Sequence, residues 1–403
     1  MRSVPLAVGR RSTLSGRMKI LFFIRDLGVG GSQRQLAVLA AGLARRGHDV
    51  AVIVLYADGA LEALLGGSGV RVLSIGKSSR WHALAPLARL RRLFLSERPD
   101  LVYAFLPTQT TLAALLLPPR LETKLVFGLR AGGVQLDQYD ALNALTYRSE
   151  AWLSRRADLA IANARTVRAD AIRRGLPADR IAVIMNGIDA DAMRADADAG
   201  RAMRRAWGLS GNHFVVGCAA RLDPMKDHAN LLQAAANFAR ENSDARFVCI
   251  GSGPAAYRLQ LTALADSLGL ADRVMWIRDI GDMKAAYSAF DIATLSSAFG
   301  EGFSNMVGEA MACGVPVAAT DVGDVRLIIG ELGEVVPPKD PDRLCAAWRR
   351  LRQRLAQDPG LRNGARDRIV ANYSVDTMVR RTEDTLSQLA AGRPAQEIAR
   401  EFA

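Results

Sequence analysis

Residues 296–314 read SSAFGEGFSNMVGEAMACG. An apolar run, 291–295, leads in and another, 315–319, leads out, so the stretch is a loop and a short helix between two strands. Ser304 or Asn305 is placed to cap that helix, and Gly314 to end it in the left-handed conformation. The helix start then points unpaired N–H groups over the loop of Gly302, Phe303, Ser304 and Asn305, which favours an anion there. One carboxylate, Glu301, lies just before this anion site. A second, Glu309, lies about a turn into the helix.

The alternation continues in both directions. Short apolar runs at 18–25, 50–56, 70–75, 101–105, 124–129, 159–162 and 181–184 predict buried parallel strands. Helical patterns at 33–46, 82–96, 108–117 and 141–155 separate most of them. The series restarts at 214–219, 246–250, 274–277, 292–295 and 315–319, with helices at 227–241, 255–268, 282–290 and 304–313 between. Strands alternating with helices predict α/β units on parallel sheets. Asn186-Gly187-Ile188-Asp189 is a turn signal between the two series. The 403-residue length suits about two domains. The expected layout is an extension at 1–17, a first Rossmann-like domain at 18–186, a second at 187–374, and a C-terminal helix at 375–403. Met18 opens a strand directly, so the preceding segment reads as a tail or a misassigned start.

Two carboxylates flanking an anion site suit a ligand with hydroxyls at both ends and a diphosphate between them. A nucleotide-sugar has that layout. The bland reading is a capped helix with two solvated glutamates. The longer text SS…EGFSN…EAMACGVPVAATDVGD resembles the E-x7-E segment of retaining glycosyltransferase family 4. The resemblance implies a GT-B fold, with two Rossmann-like domains facing across a cleft and a final helix returning to the first domain. It implies that Glu301 bonds the sugar hydroxyls, Glu309 the ribose hydroxyls, and the amides of residues 302–305 the sugar and diphosphate. The implied reaction is retaining transfer of a sugar from a nucleotide-sugar to an acceptor hydroxyl, in surface glycan or exopolysaccharide assembly.

Other turns at predicted strand ends supply further candidates. Gly28-Val29-Gly30-Gly31 lets a ligand approach the backbone at a helix start. It is not a full dinucleotide fingerprint, because the last glycine of that pattern falls on Gln33. The resemblance sets Gly30 and Gly31 against the donor phosphate. Arg221 and Lys226 can together neutralise a diphosphate, and they resemble the family's R-x4-K pair. Gly251 ends the second strand of its series, at the edge where open α/β sheets bind ligands. Arg278 and Ile280 end the third, where the family holds the nucleobase through backbone groups. Arg130, in Gly128-Leu129-Arg130-Ala131-Gly132-Gly133, sits in a strand-end loop that faces donor phosphate or acceptor. Many family members carry a cleft histidine after a strand. Here His48 and His213 precede strands and His82 and His228 open helices, so all four read as structural or solvated. No DxD-like cluster is evident, and Asp321 and Asp324 lack a partner cluster. No metal and no cofactor are therefore expected beyond the donor itself.

The net charge of +12 points to an anionic partner. The arginines are scattered, without an aromatic-rich RNA-binding signature, so nucleic acid is not the expected one. The four cysteines are not at metal-ligand spacing and read as buried thiols of a reducing compartment. No apolar run reaches a membrane span. A cytoplasmic protein is expected, acting on a glycan or lipid-linked acceptor. The pattern at 82–96, with Leu84, Leu87, Leu90 and Leu93 at helical spacing and Arg89, Arg91 and Arg92 beside them, reads two ways. It is a basic amphipathic helix for peripheral contact with the inner membrane face, or an ordinary helix burying its leucines on the sheet. Two rival functions share the donor site: a GT-B-type epimerase or phosphorylase, and a catalytically silent nucleotide-sugar-binding subunit.

Overall fold

The computed structural model describes residues 16–402 apart from 58, 78–83, 131, 133–140 and 279, and apart from the side chains of 141–144. The first sheet contains β1 (Lys19–Ile24), β2 (Asp49–Val54), β3 (Arg71–Ser74), β4 (Leu101–Phe105), β5 (Lys124–Leu129), β6 (Leu159–Ala162) and β7 (Ile181–Val183). The second contains β8 (Phe214–Ala219), β9 (Ala245–Ile250), β10 (Val274–Ile277), β11 (Ile292–Leu295), β12 (Val317–Thr320) and β13 (Glu334–Val336). Their orders are β3-β2-β1-β4-β5-β6-β7 and β10-β9-β8-β11-β12-β13, and every pairing is parallel. The α/β fold class is as the alternation predicted, and the architecture is GT-B. Helices cover both faces, so the strands are buried on two sides and read as continuous apolar runs: Leu21, Phe22, Phe23 and Ile24 are all fully buried.

Chain order reverses between β1 and β4 in one sheet and between β8 and β11 in the other. In open α/β sheets such switch points are where ligands bind. The loops after β1, β8 and β11 carry Gly30 and Gly31, Arg221 and Lys226, and Glu301.

The chain passes between the sheets twice, and the two passages touch. Ile188 bridges Ser374, with Ile188 N donating to Tyr373 O at 2.8 Å and Val375 N donating to Ile188 O at 3.2 Å. After the second passage the helix Val375–Ala390 lies on the first sheet's helix Gly31–Arg45. Its Met378, Val379, Leu386 and Leu389 enter the same core as Phe22, Leu36 and Tyr103. His48 joins this seam: its Nδ1 accepts from Met18 N at 3.1 Å and its Nε2 meets Glu383 Oε1 at 2.8 Å.

Several local expectations need correction. β12 begins at Val317 rather than 315, because Val315 closes the preceding helix. Its N–H donates to Ala310 O while Gly314 N donates to Met311 O, the double closure of a left-handed Gly cap. Neither Ser304 nor Asn305 caps that helix with its side chain; Ser304 takes the capping position without a side-chain bond. The helix Leu84–Glu97 turns its leucines toward the sheet. Leu90 is buried and Leu93 packs against the core, while Leu84 is exposed. The apolar stripe considered for membrane contact is thus mostly internal. Its beginning, with His82, lies outside the described residues. No helix among the described residues is long and apolar enough to cross a membrane.

His228 makes the second core sensitive to acid. It is wholly buried, neither ring nitrogen has a hydrogen-bond partner among the described residues, and burial pulls its pKa down to about 4. The unfolded chain takes up this proton near pH 6.5, the folded chain only near 4. Stability is therefore full above pH 6.5 and falls as pH drops between these two values, by about 2 kcal/mol at pH 5. Urea denaturation at pH 7 and pH 5 checks this. His228→Gln should lose less stability than wild type over the same interval, and an equal loss would remove the assignment.

Candidate active site

The helix Asn305–Ala312 follows β11 and points its first turn into the space between the sheets. With no side-chain cap, its first N–H groups remain available to an anion. Asn305 instead reaches across to the first domain. Its Oδ1 accepts from Asn186 Nδ2 at 2.9 Å and from Gln35 Nε2 at 3.3 Å, and its Nδ2 donates to Gly31 O at 3.5 Å. Gln35 is itself held by both polar groups of Gly187, at 2.9 and 3.0 Å. Phe303 is buried with its ring on Tyr373, and Ser304 is buried beside it.

Glu301 is 8% exposed and pairs through Oε1 with Lys226 Nζ. The same oxygen accepts from Ser297 Oγ at 2.6 Å. The geometry has a local cause. Asp223 caps the turn Pro224–Lys226 by accepting from Met225 N at 2.9 Å. Met225 O then accepts from Ala298 N at 2.8 Å, and Lys226 O accepts from Ser296 Oγ at 2.7 Å. The loop after β8 is thereby stitched to the loop after β11, and Lys226 is laid on Glu301. Arg221 is not brought to the same partner. It is exposed and only loosely paired with Asp223, at 3.6 Å.

Glu309 has different company. Its Oε2 accepts from Tyr287 Oη at 3.0 Å and its Oε1 meets Arg34 Nη1 at 3.3 Å. Burial pushes its carboxyl above the usual carboxylate range, against the pull of Arg34. Burial raises the Tyr287 phenol further, with Glu309 adding to the effect. Arg34 belongs to the first domain's leading helix, so this ion pair crosses the cleft.

Arg130 lies over the Phe105 ring at 4.0 Å, donates to Tyr103 Oη at 2.8 Å and to Asn186 Oδ1 at 3.4 Å. Burial lowers its pKa, and its Nε is buried without a partner among the described residues. No carboxylate pairs with it among the described residues. Gly30 and Gly31 stand at the start of the leading helix, with Gly31 against Asn305. At the ends of β9 and β10, Gly251 N donates to Ile277 O at 2.8 Å, Arg278 is exposed and Ile280 packs against the second core. The structure thus gathers Glu301, Lys226, Gly302, Asn305, Glu309, Gly31 and, through Asn186, Arg130. Arg221, Gly251 and Arg278 stand at the ends of β8, β9 and β10, and Arg221 is exposed and paired only loosely, with Asp223, rather than with the Glu301 carboxylate.

Arg34, Gln35, Asn163, Asn186 and Tyr287 also belong here, and the sequence reading did not select them. Asn186 was visible only as a turn residue; the others sit inside ordinary helix and strand-end text.

The chain matches the family model for glycosyltransferase family 4 over residues 29–192 and that for glycosyl transferases group 1 over residues 213–354. A D-inositol 3-phosphate glycosyltransferase of Salinispora arenicola is 34% identical over 244 residues, 55% of this chain and 53% of that protein. A GDP-mannose-dependent alpha-(1-6)-phosphatidylinositol monomannoside mannosyltransferase of Mycolicibacterium smegmatis is 32% identical over 171 residues, 40% of this chain and 44% of that one. The chain spans about half the length of the curated relatives it matches. Among solved structures, Anabaena HepE in complex with UDP-glucose superposes with a TM-score of 0.79 at 24% identity, over 92% of this chain and all of that one. Sucrose-phosphate synthase of Thermosynechococcus elongatus gives a TM-score of 0.79 at 21% identity, over 93% of this chain and all of that one. Two consecutive family matches, one on each parallel-sheet domain, make this chain a member of glycosyltransferase family 4 with the GT-B fold.

Proposed function

We propose that this protein is a retaining glycosyltransferase that moves a sugar from a nucleotide-sugar to an acceptor hydroxyl, in surface glycan or exopolysaccharide assembly. The carrying observation is the arrangement around one uncapped helix start: the Lys226–Glu301 pair before it and the largely buried Glu309 inside it. The helix N–H groups and Lys226 oppose the charge of a departing nucleoside diphosphate. Glu301 holds sugar hydroxyls and Glu309 the ribose. In the front-face mechanism we adopt, the bond from the anomeric carbon to the diphosphate oxygen breaks and the bond to the acceptor oxygen forms on the same face. The acceptor proton goes to the departing phosphate, so no protein base is required. The relatives act, by their names, on D-inositol 3-phosphate and on phosphatidylinositol monomannoside, and the HepE structures hold UDP or UDP-glucose. These support a nucleotide-sugar donor and a polyol or glycan acceptor.

The reading is tested by offering UDP- and GDP-sugars with glycan and lipid-linked acceptors and assigning the product's anomeric configuration by NMR. Retained configuration in a new glycoside supports it. Release of an epimerised sugar or a sugar phosphate would identify an epimerase or phosphorylase instead. Donor binding without transfer to acceptor or water would mark a silent binding subunit.

Turnover should not need a divalent metal, because Lys226 and the helix start supply the positive charge. Activity abolished by EDTA and restored by Mg²⁺ or Mn²⁺ would contradict this. A lipid-linked acceptor would make contact with an anionic membrane useful. Here that contact rests on Arg89, Arg91 and Arg92 rather than on the inward leucines, at about 1 kcal/mol per cation. Co-sedimentation with anionic but not neutral vesicles, lost in the triple Arg→Gln variant, is the expected outcome; equal sedimentation of variant and wild type removes it.

A further inference from the structure

Asp324 ends the loop after β12 and is 5% exposed. Its carboxylate does not serve its own short helix, Val325–Ile329. It crosses to the first domain. There Oδ2 accepts from Arg165 N at 2.6 Å, and Oδ1 accepts from Thr166 N at 2.9 Å and Thr166 Oγ1 at 2.8 Å. Arg165 and Thr166 open the helix Arg165–Arg173, whose own capping residue is Ala164 and offers no side-chain acceptor. A helix of one domain is therefore capped by a carboxylate from the other, at the end where negative charge is favoured.

The same residue grips the donor loop. Asp324 N donates to Gly302 O at 3.1 Å. Its neighbour Gly323 has φ +64°, and a Cβ there would meet Gly302 O at 2.4 Å. Gly302 in turn lies against the first domain, where a Cβ would meet Val167 Cγ2 at 2.8 Å and Asn163 Oδ1 at 3.0 Å. Asn163 is buried, and that oxygen has no hydrogen-bond partner among the described residues. The Glu301–Gly302 peptide is thus sandwiched between Asp324 and the strand end that carries Asn163.

We propose that Asp324 is a positioning residue that couples closure of the two domains to placement of the Glu301–Gly302 turn. This rests on reading that turn as the donor-sugar site. The three bonds to residues 165 and 166 exist only while the domains are together. Opening returns the carboxylate and both amides to water and releases the grip on Gly302 from the first domain. Asp324 therefore biases the equilibrium toward the state in which Glu301 is held for reaction.

The test uses the full chain with Asp324→Ala, Asp324→Asn and Thr166→Val. Three quantities are read: affinity for UDP and GDP by calorimetry, kcat and KM with the sugar donor, and the radius of gyration of the unliganded protein by small-angle scattering. Asp324→Ala should lower kcat by about tenfold or more while nucleotide affinity stays within about threefold, because misplacement rather than lost contact is the defect. Its scattering should report a more open molecule. Asp324→Asn, which keeps one accepting oxygen, should fall between. Thr166→Val removes only the hydroxyl bond and should shift both readouts in the same direction by less; it carries the test if Asp324→Ala does not fold. Wild-type kcat and scattering in a folded Asp324→Ala protein overturn the proposal. Equal losses in affinity and kcat with unchanged scattering also overturn it, since they indicate a ligand contact. If wild type binds no nucleotide, the donor-site reading fails, and the scattering comparison alone decides the role of Asp324.

Discussion

Glu301→Gln should lower turnover far more than it lowers donor affinity. Glutamine keeps the shape and one accepting oxygen but removes the negative charge facing Lys226. Two losses then combine. The sugar loses a charge-assisted bond, about 1–3 kcal/mol. Lys226, only 16% exposed at its side chain, is left as a largely buried cation without a carboxylate, and breaking a buried pair from one side costs about 3–5 kcal/mol. Part of that appears as stability and part as a displaced lysine at the diphosphate. A fall in kcat of about a hundredfold corresponds to about 2.7 kcal/mol, within this range. Lys226→Met should behave similarly, and the double variant should cost much less than the sum of the singles, because each single removes the same pair. Glu309→Gln is the contrast. A ribose contact persists through the reaction, so its loss should raise KM with kcat little changed. Stopped-assay kinetics with the preferred donor separate the two. Wild-type binding and turnover in both variants would remove the donor-site assignment, and strict additivity in the double variant would remove the Lys226–Glu301 coupling.

Removing residues 375–403 should unfold the first domain rather than trim the protein. Met378, Val379, Leu386, Leu389 and Ile398 are all buried in the core that surrounds β1 and β4. At about 1.5–3 kcal/mol for each buried side chain, their loss amounts to about 10 kcal/mol, the whole stability of an ordinary domain. Polar ties go as well: His48 and Arg46 lose Glu383, Ile188 O loses Val375 N, and Val183 N loses Phe402 O, its acceptor at 2.6 Å. The truncated chain should be insoluble or bind a hydrophobic dye, while the second sheet, which keeps Leu361, Ala365 and Ile369, retains its core. Leu386→Ala is the milder form, with about 2–5 kcal/mol expected from a buried leucine. Its urea midpoint should move accordingly. A truncated protein with the wild-type melting profile would show that the return helix is dispensable.

Parallel strands were legible in the sequence because burial on both faces leaves little choice but continuous apolar runs, as in β1 and β4. β13 escaped because three residues between Gly333 and Pro337 carry too little pattern. The helix Arg165–Arg173 escaped because it buries only Val167, Asp170 and Ala171, so no apolar periodicity marks it. The glutamates, Lys226 and the glycines were legible because they lie in strand-end loops or in the helix that directly follows one, where spacing is local. The cross-cleft partners were not. Arg34 meets Glu309 across 275 positions, and nothing in the text around either residue encodes that distance. Asp324 read as an acid without partners because its partners are mainly backbone amides of the other domain. Backbone groups leave no mark in a sequence, since every residue but proline supplies them. The expected side-chain cap failed for a related reason: Asn305 was free to cap its helix, yet Asn186, Gln35 and Gly31 outcompete that local bond.

The return helix also dictates an order of events during synthesis. Leu36 and its neighbours on the leading helix are covered by Met378 and Val379, which are made long after the seventh strand, Ile181–Val183. At about 5–20 residues per second, the first domain waits about 10–40 s after its seventh strand is made. Meanwhile the second domain, whose strands all precede that segment, can complete its sheet. The first half is thus made early and finished late, with an apolar seam open to other chains throughout. The truncated protein described above is, in effect, the molecule the ribosome holds at that moment.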